Sequence, residues 1–569
     1  MMHSSSPTIP PFILNPLNGL DLGKTQTMVL LGVGALVLLT FRLLLNLKNN
    51  RQLPPGPRGL PVLGNALQLA SASQIWLLFD KWKSLYGPIT YLNLAGQHVI
   101  VLNTKAAATE LLDRRSAIYS DRPKSIVGEY VGTELTLPFI RYHKRWQRMR
   151  RAAQAVLNVR ASARYQPVQI DEAAIFARNL LHDTSSSLFS QINRSASTMI
   201  SVIYGKRLLE TSKKSEQSPE VLQAISSKAG ITLGALSDPL QALLTSVHAF
   251  TTAVCPGANL VEFLPILDYL PSVITTWKRK AKQEYQTNAN LYEGLYNFTV
   301  SSNQQQPNLC VSLAENELAS DLTEVEKAWA AGAISAASLD TTSVTIAYFL
   351  YAMSLHPEVQ ERAQRELDEV VGRSRTPSFD DMLQLPYVRA IIKEVLRWQP
   401  VTPLALPHAS MEDDWYEGYF IPKGTTVLPN VWSMNREEDT YGYDVDQFRP
   451  ERFMQESENR ERLVLRPEFE NNDGHSTYGF GRRVCIGRHV ADNGLFITMS
   501  TILWTLHIKP KAITNKSPRE THGADLDVLN LSPDFDCSFS PRFPEAEGVL
   551  QLLLDNAVDH DAGVSKIVQ

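Results

Sequence analysis

Cysteine is scarce in this chain. Four are spread over 569 residues, Cys255, Cys310, Cys485 and Cys537, which excludes a disulfide framework. No His and Cys spacing of the zinc-binding kind accompanies them. An excess of charge of one sign is lacking as well. The 55 lysines and arginines nearly balance 59 aspartates and glutamates, the formal net charge is −4, and no basic array suited to nucleic acid is present. Repeats and heptads are absent. After residue 65 no flexible linker divides the sequence, and the stretch nearest to one, residues 301–307, is short and reads as a surface loop. Length alone suggests several domains; the missing linker argues for one large domain instead.

Long apolar runs are missing too, with one exception. Residues 28–47 are apolar except for Thr40, Arg42 and Asn46. A helix of that length spans roughly 30 Å, one bilayer core, and Arg42 near its end can snorkel to the headgroups. Arg42, Lys48 and Arg51 follow the apolar core while only Lys24 precedes it, a bias that puts the body of the protein in the cytosol. A cleaved signal peptide is the competing reading. Against it stand the long polar lead-in and the basic residues where small ones are expected. The run Leu53-Pro54-Pro55-Gly56-Pro57-Arg58-Gly59-Leu60-Pro61 cannot stay helical and predicts a stiff extended arm. Asn-x-Ser/Thr sites occur, at Asn193 and Asn297 among others, and a cytosolic orientation leaves them unused.

Helical periodicity dominates the rest. It runs over residues 321–354, 356–371 and 379–398, and the strand candidates are short: 89–93, 99–102 and 426–429. The flanks of residues 336–342 are apolar nearly all round, which predicts a buried helix.

The most informative ten residues are Tyr478-Gly479-Phe480-Gly481-Arg482-Arg483-Val484-Cys485-Ile486-Gly487. A thiolate that ligates iron needs backbone N–H groups around its sulfur, and glycines let the backbone come that close. Arg483, two residues before the cysteine, can reach an anionic cofactor edge on the same side. A buried cysteine beside a turn is the plainer reading of this window. The loop resembles the haem-ligand loop of the cytochromes P450, with two departures: Tyr478 stands where phenylalanine is usual, and Ile486 where proline is frequent.

Further motifs resemble that family in the family's order. Glu394 and Arg397 share a helical face and match its Glu-x-x-Arg pair; Arg452, in Phe448-Arg449-Pro450-Glu451-Arg452-Phe453, matches the distant arginine that completes it. The resemblance implies a structural role for these three. Asp340 and Thr341, in Ala336-Ala337-Ser338-Leu339-Asp340-Thr341-Thr342, match the acid–threonine pair that orders water for proton delivery. Ser338 departs, because glycine is usual there, and its hydroxyl can bond back to the i−4 carbonyl or narrow the oxygen groove. Trp146 and Arg150 match the Trp-x-x-x-Arg pair that reaches a haem propionate, and Arg483 matches a second propionate partner. His408 sits where many relatives place a third, although a solvated loop histidine reads equally well. By resemblance, the substrate contacts fall on Ala333, Ala337, Leu404 and Ala405, and on the loop 125–136.

The resemblance implies a mainly α fold with small β-sheets, the cytochrome P450 fold, preceded by a single N-terminal transmembrane helix. The expected layout is a lumenal segment (1–27), an anchor (28–47), a basic and Pro-rich hinge (48–65) and a catalytic domain (66–569). It implies haem b with Cys485 as axial thiolate and sole metal ligand, and electrons from NADPH through a P450 reductase. Cytochrome b5 is a second candidate donor. The basic residues Arg141, Lys144, Arg145, Arg148 and Arg151 would steer an acidic reductase. The location implied is the endoplasmic reticulum membrane, with lipid as a partner and no nucleic acid. Local similarity in residues 396–404 and 416–424 looks like fungal members of secondary metabolism and xenobiotic oxidation, the O-methylsterigmatocystin oxidoreductase-like subgroup. The activity implied is insertion of one oxygen atom from O2 into a small apolar substrate. Two alternatives stay open: an O2-independent haem-thiolate isomerase or dehydratase, and a degenerate haem-binding protein.

Overall fold

A computed structural model of the chain describes residues 52–72, 74–182, 187–195, 197–205, 238–254, 259–302, 307–457, 463–470, 472–512 and 535–555. The predicted anchor, residues 28–47, lies outside them. Among the described residues no helix is long and apolar enough to cross a membrane.

The principal elements follow in chain order. Helix α1 (Ile75–Tyr86) precedes the hairpin β1 (Ile89–Leu94) and β2 (Gln97–Leu102). Then come α2 (Ile126–Val131), α3 (Lys144–Leu157), α4 (Gln166–His182), α5 (Pro239–Val254), α6 (Thr276–Ser301), α7 (Glu324–Leu355), α8 (Pro357–Val370) and α9 (Pro386–Trp398). Strands β3 (His408–Ala409) and β4 (Thr426–Pro429) return to the first sheet, and α10 (Arg488–Thr505) leads into β5 (Leu506–Ala512) and β6 (Asp536–Pro541).

The first sheet has the order β1-β2-β4-β3. β2 pairs antiparallel with β1 and parallel with β4, so Val99 faces Thr426 and Val101 faces Leu428. The β-branched run Val99-Ile100-Val101 is buried on both faces, as a strand inside a sheet requires. Phe79 and Trp82 of α1 cover one face, packed on Leu92, Val99 and Val101. The Pro-rich arm lies along β1 from Pro54: the Pro55 carbonyl accepts from the Tyr91 N–H at 2.8 Å. At Gly56 a Cβ would stand 1.9 Å from the Tyr91 oxygen, so only glycine lets the arm come this close.

Helix α7 threads the two main hydrophobic cores. Its N-terminal half packs with α3 and α6, and its C-terminal half with α8, α9 and α10. It starts three residues later than the apolar periodicity suggests because Thr323 and Glu326 form a reciprocal capping box. Gly332 lets the Tyr292 ring of α6 lie flat against α7; a Cβ there would fall 2.3 Å from it. The helix expected over 379–398 is broken. Residues Phe379–Gln384 form a 3-10 turn, and Leu385, at φ −113° and ψ 59°, leaves the α region before Pro386 opens α9.

These elements belong to one compact unit, residues 54–414 with 421 onward. Gln52 and Leu53 with Trp415–Phe420 form another, in which the Phe420 N–H donates to the Gln52 carbonyl at 2.8 Å and the rings of Trp415 and Phe420 lie 5.2 Å apart.

Candidate active site

The loop that carries Cys485 is pinned by its own backbone. The Cys485 N–H donates to the Tyr478 carbonyl at 2.8 Å, and Val484 N–H to Gly481 O at 3.2 Å. Gly481 takes φ +56°, and a Cβ there would stand 2.0 Å from the Leu112 oxygen, so glycine is required. Its N–H donates to Asp113 at 2.5 Å. The Cys485 side chain is solvent-exposed, although protein surrounds the loop densely. Burial pushes its thiol pKa up. The Gly487 N–H and the cations Arg150 and Arg488 pull it back, and Asp492 pushes it further up.

Beside this loop four basic side chains crowd together. Arg483 donates to the carbonyls of Ser120 at 2.8 Å and Ile140 at 2.7 Å, and its guanidinium lies 4.2 Å from the centre of the Trp146 ring. Its remaining nitrogen is buried with no protein partner. Arg122 donates to the carbonyls of Pro138, Leu406 and Pro407 at 2.6 to 2.9 Å. His408 is buried in β3, and its Nδ1 donates to the Tyr119 carbonyl at 2.8 Å, which leaves Nε2 free of that bond. Arg150 donates to Val484 O at 2.5 Å.

Burial and mutual repulsion hold these groups down. Arg483 falls to about 8, Arg122 to about 9, Arg150 to about 10 and His408 to about 3. The carboxylate nearest in sequence, Asp121, is engaged with Arg141 at 2.6 Å and with the Tyr142 N–H at 2.7 Å. Buried guanidiniums that bond only to carbonyls are costly unless an anion joins them. The donor set therefore fits a ligand with anionic groups, as the two propionates of haem are.

On α7 the burial pattern opens at one place. The helix is buried from Glu326 to Ser335 and almost throughout from Ser343 to Ser354, but Ala337 is exposed and Ala336, Ser338, Asp340, Thr341 and Thr342 are half-buried. The Thr341 hydroxyl donates to Ala337 O at 2.8 Å. Ser338 bonds back to Ser335 O at 2.9 Å, the i−3 carbonyl and not the i−4 one. Burial raises the Asp340 carboxyl pKa, against the opposing pull of His248 on α5.

Glu394, Arg397 and Arg452 meet in the core with almost no exposure. Arg397 is bidentate to Glu394 at 2.7 and 2.9 Å, and Arg452 reaches the same carboxylate at 3.0 Å. The spare guanidinium donors go to the carbonyls of Asn435, Val445, Asp444 and Gln447, so the buried ions are well satisfied. The cluster is tied to the cysteine loop. Asn435 donates to Arg397 O at 3.2 Å and to Thr477 Oγ1 at 3.1 Å, and the Thr477 hydroxyl donates to Leu396 O at 2.7 Å.

The residues singled out in the sequence thus fall into three groups: Trp146, Arg150, His408, Arg483 and Cys485 around the loop; Asp340 and Thr341 at the opening of α7; and Glu394, Arg397 and Arg452 behind. His408 is not a solvated loop residue. Of the substrate candidates, Ala337 is open and Leu404 and Ala405 are half-buried, the last at φ +48°; Ala333 is buried in the helix packing. The basic surface is partly neutralised, because Arg141 pairs with Asp121, and Arg145 and Arg148 both with Glu326. Sequence reasoning missed Arg122. Its signal is the run Asp121-Arg122-Pro123, a charged pair before a proline in an otherwise buried stretch. It also missed Glu262, which accepts from Ser125 Oγ at 2.8 Å and from the N–H groups of Ile126 and Val127 at 3.1 and 2.9 Å, tying down the loop 125–136. No local pattern foretells that contact.

Residues 54–537 match the cytochrome P450 family profile. The chain is 40% identical to a cytochrome P450 monooxygenase of Armillaria gallica, over 88% of this chain and 92% of the relative. It is 38% identical to cytochrome P450 monooxygenase 58 of Postia placenta, over 92% and 94%. It is 34% identical to the cytochrome P450 monooxygenase iboC of Amanita muscaria, over 89% and 93%.

Proposed function

Because the chain belongs to the cytochrome P450 family of oxidoreductases, we propose that it is a haem-thiolate monooxygenase that puts one oxygen atom from O2 into a small apolar substrate, with Cys485 as the iron ligand. The observation that carries the reading is the buried group of basic side chains Arg122, Arg483 and His408 beside the Cys485 loop. Haem, once bound, supplies the iron at which O2 is split, and thiolate ligation favours O–O cleavage.

The chain's own side chains do the rest. Arg122 and Arg483 hold the propionates, His408 joins them once a neighbouring anion favours its protonated form, and Trp146 lies against the Arg483 guanidinium. The Gly487 N–H and Arg150 stabilise the sulfur as thiolate. Thr341, whose proton goes to Ala337 O, offers its oxygen as acceptor to a water. Asp340, whose carboxyl burial pushes above its ordinary range, is placed to relay a proton. The retained acid–threonine pair favours oxygen chemistry over peroxide rearrangement. Glu394, Arg397 and Arg452 hold the scaffold behind the loop.

Residues 28–47 serve as the anchor in the endoplasmic reticulum membrane, with the catalytic body cytosolic. Exposed apolar side chains support membrane contact by the body: Leu264, Ile266, Tyr269 and Val273, with Leu60 and Val62 on the arm. The expected electron source is an NADPH–P450 reductase, docking at Lys144 and Arg151, with cytochrome b5 as a second donor. The relatives are fungal, and secondary metabolism or xenobiotic oxidation is the setting that fits. Reduction under carbon monoxide tests the ligand: the wild type gives the thiolate-type band and Cys485→Ser loses it, since a hydroxyl is a far weaker donor. A mutant that keeps the band would sink the assignment.

A further inference from the structure

Tyr478 breaks the family pattern, and its hydroxyl has a specific partner. It donates to the Asp492 carboxylate at 2.5 Å. Asp492 stands on α10, the helix that begins three residues after Cys485. The same tyrosine, through its carbonyl, accepts the Cys485 N–H at 2.8 Å. One residue thus touches the ligand's backbone and the carboxylate behind it. Its ring is held edge-on to His475 at 5.1 Å and packs against the core of α9 and α10. A phenylalanine would fill the same space and leave Asp492 without its donor.

The carboxylate acts on the sulfur. Asp492 is one of the charges that disfavour a second negative charge on Cys485, while Arg150 and Arg488 oppose it. Around Asp492 itself, burial and Asp473 work against ionisation, and Tyr478, Lys393 and Arg488 work for it, which leaves the group at about 6. At neutral pH it is mostly ionised.

We propose that Tyr478 and Asp492 are positioning residues for the thiolate: the hydrogen bond holds a carboxylate charge behind Cys485, and that charge strengthens the sulfur's electron donation to iron. The inference rests on Cys485 as the ligand. A fixed negative charge repels the electron that reduction adds, and in the protein interior this repulsion is stronger than it would be in water. The pair therefore keeps the haem harder to reduce.

The test is the ferric–ferrous midpoint potential of the haem-loaded full chain. Wild type, Tyr478→Phe, Asp492→Asn and the double variant are each titrated with the carbon monoxide band recorded alongside. Asp492→Asn should shift the equilibrium toward ferrous by roughly tenfold, about 59 mV upward for a one-electron couple. Tyr478→Phe frees the carboxylate to swing toward Lys393 and Arg488 and should move the potential in the same sense by less. The double variant should move no further than Asp492→Asn, because the tyrosine acts only through the carboxylate. If Asp492→Asn does not retain haem, Tyr478→Phe, which keeps the ring packing, carries the test alone. A normal thiolate band with an unmoved potential, or additive shifts, overturns the inference. A wild type without the thiolate band overturns the ligand reading, and this inference with it.

Discussion

Thr341 and Arg122 lie on opposite sides of what one sequence can convey about single residues. Thr341 sits in a motif, and its hydroxyl is placed at the one opening in a buried helix. Thr341→Ala removes one small polar group and leaves the thiolate untouched, so the enzyme should uncouple without unfolding. The ratio of product to NADPH consumed should fall and hydrogen peroxide should rise; an unchanged ratio would leave the proton-delivery role without support. Arg122 carries no motif that sequence reasoning used. Its charge matters only because Arg483, Arg150 and His408 come from distant segments to surround the same place. Arg122→Gln removes a charged hydrogen-bond donor of about 1.5–3 kcal/mol. Haem affinity should drop by roughly ten- to a hundredfold, measured by transfer of haem to an apoprotein scavenger. Unchanged retention would show that the propionates lie elsewhere. The chemistry-bearing residues were legible where they sit in fixed local spacing. Partners gathered across the fold were not.

At the scale of elements, the break between residues 379 and 398 shows what periodicity misses. The apolar pattern runs through Pro386, but proline forces Leu385 out of the helix and leaves the first N–H groups of α9 without partners. Glu366 on α8 supplies them, accepting from Tyr387 N–H at 2.8 Å and Val388 N–H at 3.0 Å. Burial raises this carboxyl to about 7, although the two N–H groups and Arg362 pull it down. The native state then binds the proton more tightly than the unfolded chain does. This group's contribution to stability is fully present below the ordinary glutamate pKa and is lost as pH rises through about 7. Glu366→Gln should flatten that part of the pH dependence and cost about 1 kcal/mol as a weakened cap. Melting temperatures of both proteins at pH 5 and pH 8 check it; parallel pH profiles would contradict it.

For the whole molecule, the apolar segment precedes every haem motif. Deleting residues 1–52 should therefore lower membrane association and leave haem incorporation intact. Pelleting with vesicles and the haem-to-protein ratio of the soluble truncation measure the two effects. Loss of haem from a well-expressed truncation would count against an independent anchor. Partial attachment is expected to persist, because Ile266, Tyr269 and Val273 remain exposed on the body.

The sequence by itself determined the mainly helical class, three of the four strands of the first sheet, the buried helix α7 and the candidate cysteine, because each is written in short-range periodicity or in glycine spacing. Only the tertiary structure decided which cations crowd together, that His408 is buried, that Arg145 and Arg148 spend their charge on Glu326, and that Tyr478 meets Asp492. Those outcomes depend on burial and on contacts between residues far apart in the chain, where desolvation decides the strength of each charge and no local pattern records it.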